Sequence, residues 1–130
     1  MFWNRFLFPM LAALVAVAGL NWIGGAEGYY FTTAWYDWPV HFLGGVWSGL
    51  FLLWIFNLPH MGRFKRFASL EAVLGLVFLI GLAWEGYELF FGLTSLYKAG
   101  YGFDTFHDLV NDVLGAAAAF CLTRRTIARA

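Results

Sequence analysis

The stretch Trp38–Leu58, WPVHFLGGVWSGLFLLWIFNL, decides the fold class because it contains no Asp, Glu, Lys or Arg. Its length matches the roughly 20 apolar residues that a helix needs to cross a bilayer. Three other apolar runs approach this length, and the breaks between them carry Gly, Pro, Asn and charge. We therefore predict an all-α integral membrane bundle of four transmembrane helices. It forms a single domain, residues 1–130, with helices at about 6–22, 38–58, 68–91 and 106–122.

The composition supports this class. Hydrophobic residues make up 62% of the chain and charged residues 12%, against about 25% charged in a soluble domain. Eight basic and eight acidic residues give a formal charge of zero, which argues against nucleic-acid binding. A single cysteine, Cys121, excludes an internal disulfide and a cysteine metal cluster. We therefore predict that the chain is embedded in membrane lipid.

The first apolar run has two interpretations. Arg5 precedes it, and Ala16-Val17-Ala18 resembles the cleavage site of a signal peptide. The apolar stretch continues past this site to Leu20 and Trp22. This continuation favours a permanent first helix.

The basic residues predict the orientation. In a four-span bundle, seven of the eight Lys and Arg residues lie on one side and only Lys98 lies on the other. Because positive residues favour the cytoplasmic side, both termini and the 59–67 loop should be cytoplasmic. The protein is then a multi-pass protein of the inner (cytoplasmic) membrane. The seven residues are Arg5, Arg63, Lys65, Arg66, Arg124, Arg125 and Arg129.

Acidic residues are spaced so that three helices each carry a polar stripe at the outward end. Residues three or four apart share one face of a helix. Carboxylates within a membrane cost a few kcal/mol and so need partners. The stripes are Asp37 with His41 on the second helix, Glu85 with Glu88 on the third, and Asp104, Asp108 and Asp112 on the fourth.

Positive charge is scarce near these stripes, where His41, His107 and Lys98 are the candidate partners. Either some of the carboxyl groups are protonated, or a cation lies among them.

Simpler roles remain open. Asp37 and Asp104 each precede an apolar run and fit helix caps. His107 fits an interfacial residue, and Glu88 fits a carboxylate shallow enough to reach water. A structural ion pair or hydrogen-bond network accounts for the others, His41, Glu85, Asp108 and Asp112.

The functional hypothesis is a site for a divalent metal ion. Oxygen-rich ligands with one imidazole suit Mg²⁺, Mn²⁺, Ca²⁺ or Zn²⁺. The candidate metal ligands are His41, Glu85, Glu88, Asp108 and Asp112. His41, Glu85, Asp108 and Asp112 are also the candidate catalytic residues, and Asp37, Asp104 and Asn111 are the candidate supporting residues.

Three segments resemble the signatures of the VanZ-like proteins and the related YjdF-type membrane proteins. They are DWPVHFLGG (37–45), WEGYE (84–88) and GFDTFHDLVNDVLG (102–115), and the resemblance extends over residues 36–120. VanZ-like proteins often have Gln in place of a second Glu in the third helix, so Glu88 fits the YjdF-type pattern better. The resemblance implies a site at these positions more than a particular reaction, and the family takes its name from glycopeptide resistance.

Three functions are therefore considered. The first is metal-dependent processing of a lipid-linked envelope substrate, in which the metal activates water or binds a phosphate and a carboxylate acts as base. The second is non-enzymatic binding of a lipid, a drug or a partner protein. The third is a pathway for protons or cations, since acids within a membrane also mark relays.

Overall fold

The computed structural model describes residues 2–127, with side chains from residue 5 to 124. Arg129 and the side chain of Arg125, both used for the predicted orientation, lie outside the described part. Between residues 2 and 127 all regular structure is helical and there is no strand, which confirms the all-α class. The elements are α1 Phe2–Ala26, α2 Tyr29–Thr32, α3 Asp37–Phe56, a 3₁₀ segment Pro59–Ala68, α4 Leu70–Phe90 and α5 Tyr101–Ile127.

Three helices are long and apolar enough to cross a membrane, namely Arg5–Ala26, Asp37–Phe56 and Leu70–Phe90. Only 11–33% of each is buried within the protein, so their outward faces are apolar surfaces suited to lipid. α5 is longer than any of them. However, its polar stretch from His107 to Asp112 interrupts the apolar run. Length and composition therefore support three of the four predicted spans.

α3 and α5 run in the same direction and approach to backbone contact through glycines. A Cβ atom at Gly45 would collide with the main-chain carbonyl of Asp112, and one at Gly115 would collide with the carbonyl of Phe42. Further along the pair, Gly49 packs against the next turn of α5. Small residues allow two helices to approach this closely within a membrane. The contact places the first turns of α3 beside residues 108–115 of α5.

The apolar core draws on all four long helices. The sequence provides large apolar side chains on α1, α3 and α4, while small alanines on α5 let that helix lie close to α3. The buried members of the core are Phe6, Met10, Leu50, Leu53, Val73, Val77, Ala116 and Ala119. α1 is therefore an integral part of the packed bundle.

Two tyrosines fix the end of α1. The Tyr36 hydroxyl donates to the Leu20 carbonyl, and the Tyr30 hydroxyl donates to the Asn21 side chain, both at 2.7 Å. Burial, together with the negative charge of Asp37, raises the pKa of Tyr30 to about 12. The Tyr30 phenol therefore keeps the proton that it donates at neutral pH.

The two ends of the bundle differ in charge. At the acidic end, α3 and α5 begin and α4 ends. At the opposite, basic end, the 3₁₀ segment exposes Arg63, Lys65 and Arg66. Glu71 lies at the start of α4 beside this segment and is exposed. The separation of charge predicted along the chain is thus present in the folded molecule.

Candidate metal centre at the acidic end

The buried His41 side chain lies among three aspartates, of which Asp108 and Asp112 are buried and Asp37 is partly exposed. Its Nδ1 atom is 3.3 and 3.4 Å from the two carboxylate oxygens of Asp112. Its Nε2 atom is 3.7 Å from an oxygen of Asp37 and 4.0 Å from an oxygen of Asp108. Each ring nitrogen therefore faces carboxylate oxygen. In a neutral imidazole only one of the two ring nitrogens carries a proton, so His41 can donate a hydrogen bond on only one side.

Helical spacing and the glycine contact explain this arrangement. Asp37 and His41 are four residues apart on α3, and Asp108 and Asp112 are four apart on α5, so each pair shares a face. Because α3 and α5 are parallel and touch near Gly45, the two faces meet. Residues 37–41 of α3 and residues 108–112 of α5 thus each supply one wall of the site.

The two aspartates considered as helix caps have other contacts. α3 has Tyr36 at its N-cap position without a side-chain cap bond, and Asp37 is the first residue of the helix, directed at His41. Asp104 lies within the first turn of α5 and pairs with Lys98 at 2.8 Å. The hydrogen bond with Asp104 raises the pKa of the Lys98 ammonium.

Asp37, His41 and Asp108 form a group that can hold a metal ion. One ligand atom from each residue lies within 4.8 Å of the others. His41 and Asp108 are buried, whereas the side chain of Asp37 is 36% exposed, so the group is reached from the acidic end. Asp112 lies on the far side of the imidazole. Its hydrogen bond fixes the orientation of the ring, as carboxylates often do for metal-binding histidines.

The two glutamates of α4 have their own partners. The buried Glu85 carboxylate accepts a hydrogen bond from the Thr105 hydroxyl at 2.8 Å through Oε2. Oε1 of Glu88 accepts one from the Trp84 indole at 3.0 Å, and Glu88 is half-buried. Of the five candidate ligands, the structure brings His41, Asp108 and Asp112 together and gives Glu85 and Glu88 separate partners.

Several neighbours of the site were not predicted to take part. Thr105 stands three residues before Asp108, so helical spacing alone places it on the same face. Trp84, whose indole donates to Glu88, is a second such neighbour.

Asn111, which was predicted as a supporting residue, donates instead to the His107 carbonyl within its own helix at 2.8 Å. The ring of His107, a predicted partner of the acids, stacks on Trp38 with 5.0 Å between centroids.

One family of proteins matches the chain over residues 2–129. That family is described as "Predicted membrane protein (DUF2238)". The chain belongs to this family. Membership of DUF2238 agrees with the long apolar helices, and its description gives a membrane location without an activity. No curated protein and no solved structure matches the chain. The resemblance to VanZ-like and YjdF-type proteins therefore stays a prediction.

Proposed function

We propose that this protein binds a divalent cation at the acidic end of the bundle, through Asp37, His41 and Asp108. The observation that carries the proposal is the convergence of their ligand atoms within 4.8 Å. If Nδ1 of His41 donates its proton to Asp112, the lone pair of Nε2 points toward the other two aspartates. The geometry thus supports an imidazole whose Nε2 atom is oriented to bind a metal ion.

The chemistry of the ligands narrows the class of cation. Two carboxylates and one imidazole combine hard oxygen donors with a borderline nitrogen, a mixture that suits Mn²⁺ and Mg²⁺ and also admits Zn²⁺ or Ca²⁺. A bound divalent ion would polarise a phosphate oxygen or lower the pKa of a bound water. We extend the proposal to metal-dependent processing of a lipid-linked envelope substrate. The resemblance to VanZ-like and YjdF-type proteins supports that substrate class.

A cation pathway is the less favoured function. Beyond the site the bundle is filled by an apolar core, which includes Leu50, Leu53, Val73 and Val77. Among the described core residues there is no ionisable side chain to pass a proton or cation toward the basic end. A relay needs a chain of such groups. A binding site therefore fits the described residues better than a conducting path does.

The proposal includes α5 as a fourth span and an inner-membrane location with both termini cytoplasmic. The exposed basic residues of the 3₁₀ segment lie opposite the acidic end, and positive residues favour the cytoplasmic side. A phosphatase or fluorescent reporter fused after Ala130 is expected to report the cytoplasm. Activity of the phosphatase fusion on the outer side would overturn both the orientation and the outward-facing site.

Metal analysis of purified protein tests the proposed cation site. After metal stripping and dialysis against Mn²⁺, the natural protein is expected to retain about one ion per chain. Loss of an outer-shell partner already costs about 10–100-fold in metal affinity, so loss of a direct ligand should cost at least as much. Asp108→Asn should therefore retain negligible Mn²⁺ at the same free concentration.

Glu27→Gln is the matched control, because it removes one carboxylate from an exposed position at the end of α1. It should bind Mn²⁺ as the natural protein does. Equal and negligible Mn²⁺ in all three proteins would contradict the proposal and favour a non-enzymatic binding or structural role for the cluster.

A further inference from the structure

At the acidic end, α4 packs against the bundle through Glu85, a buried carboxylate with one oxygen that accepts no hydrogen bond. The buried residues of α4 follow one line with four-residue spacing: Val73, Val77, Gly81 and Glu85. The two valines pack in the apolar core, whereas Gly81 and Glu85 lie toward the acidic end. Glu85 is only 6% exposed. This half of α4 is therefore anchored by a glycine and a buried acid.

Glu85 is only partly satisfied within the protein. Its Oε2 atom accepts from Thr105, but Oε1 is buried and has no hydrogen-bond partner among the described residues. An ionised carboxylate offers about four acceptor sites. Most buried polar groups in native proteins are paired, so an exception calls for a missing partner. A cation is a partner that a bare carboxylate oxygen would attract.

The register of α4 on α5 places Glu85 on the helix face that meets Thr105 and Asp112, although it is not one of the residues whose ligand atoms lie within 4.8 Å of one another. A Cβ atom at Gly81 would lie 2.5 Å from an oxygen of Asp112. Glu85 is about one helical turn beyond Gly81, and Asp108 is about one turn before Asp112. Because α4 and α5 are antiparallel, Glu85 is level with Asp108.

We propose that Glu85 supplies a fourth ligand to the cation through Oε1, so that cation binding fastens α4 to the α3–α5 pair. The inference rests on the proposed cation site and adds to it a ligand from a third helix. The completed set has three carboxylates and one imidazole. Four protein ligands rich in oxygen fit a six-coordinate ion such as Mn²⁺, with water in the remaining positions.

The inference has a consequence for motion. α3 and α5 are held together by backbone contact at Gly45 and Gly115 whether or not a cation is present. α4 makes no backbone contact of this kind at Glu85. The last two turns of α4 should therefore separate from α3 and α5 more easily when no cation is bound. Occupancy of the site would therefore control the end of α4 while leaving the α3–α5 pair closed.

A comparison of the natural protein with Glu85→Gln tests the inference. Mn²⁺ affinity is measured by the loss of the free-ion EPR signal, and amide hydrogen exchange is followed in residues 37–43 and 82–90. In the natural protein, Mn²⁺ should slow exchange in both segments. Glu85→Gln should weaken Mn²⁺ binding about 10–100-fold. At saturating Mn²⁺ it should keep the protection of residues 37–43 and lose that of residues 82–90.

Glu71→Gln makes the same substitution in the same helix at the exposed, basic end, and should change neither measurement. If Glu85→Gln does not fold, Glu85→Asp withdraws the carboxylate by one methylene and should show the same two losses. Natural affinity and natural protection of residues 82–90 in the folded variant would overturn the role of Glu85 and leave the three-residue site standing. Absence of Mn²⁺ binding in the natural protein would overturn both.

Discussion

Replacing Gly45 by alanine is expected to destabilise the bundle by about 3 kcal/mol, at the upper end of the usual range for overpacking. The added Cβ atom would collide with the main-chain carbonyl of Asp112, and a backbone atom cannot move aside as a flexible side chain can. α3 and α5 would have to separate. Thermal unfolding of the purified protein in detergent, followed by circular dichroism, measures the loss.

Gly44→Ala is the control, since it makes the same change one residue away on the same helix. A Cβ atom at Gly44 has no other atom within 4 Å, and alanine favours a helix over glycine by roughly 0.5–1 kcal/mol. Gly44→Ala should therefore unfold at the natural temperature or slightly above it. Equal melting temperatures for the two variants would contradict the close crossing of α3 and α5.

Replacing His41 by leucine should destabilise the metal-free protein by about 3 kcal/mol, as expected when a buried ionic group loses its partner. The imidazole is the shared neighbour of Asp37, Asp108 and Asp112. Without it, two buried carboxylates and one half-exposed carboxylate face one another. Unfolding in the presence of a chelator separates this effect from any contribution of bound metal.

A second substitution identifies the cause of that loss. Adding Asp112→Asn to His41→Leu removes one of the unpaired carboxylates, so the double variant should be more stable than His41→Leu alone. Neighbours in one network are expected to show such non-additive effects. If the two changes add independently, His41 and Asp112 do not form the coupled pair that their distance indicates.

Much of the architecture follows from local sequence patterns. Long apolar runs predict helices because the backbone must satisfy its own hydrogen bonds within a membrane. The four-residue spacing of Asp108 and Asp112 predicts a shared face, and the structure places both against His41. Local spacing suffices here because a helix fixes the relative direction of side chains along its own length.

Other features depend on how helices are rotated and aligned, which one-dimensional spacing leaves open. Glu85 and Glu88 are three residues apart and Asp37 and His41 are four apart, so both pairs share a helix face. However, Glu85 and Glu88 accept hydrogen bonds from Thr105 and Trp84. The role of Gly81 depends on the register between α4 and α5, which sets it beside Asp112. The fourth span was predicted from an apolar run, but the polar residues that build the site also lower the hydropathy of α5.

The most direct test of the cation site is pulsed EPR of Mn²⁺ bound to protein in which every histidine carries ¹⁵N. We expect hyperfine coupling to one directly bound imidazole nitrogen. The coupling should persist when His60 and His107 are both replaced by glutamine, which assigns it to His41. Bound Mn²⁺ without histidine coupling, or coupling lost in the His60→Gln/His107→Gln protein, would contradict a metal centre built on His41.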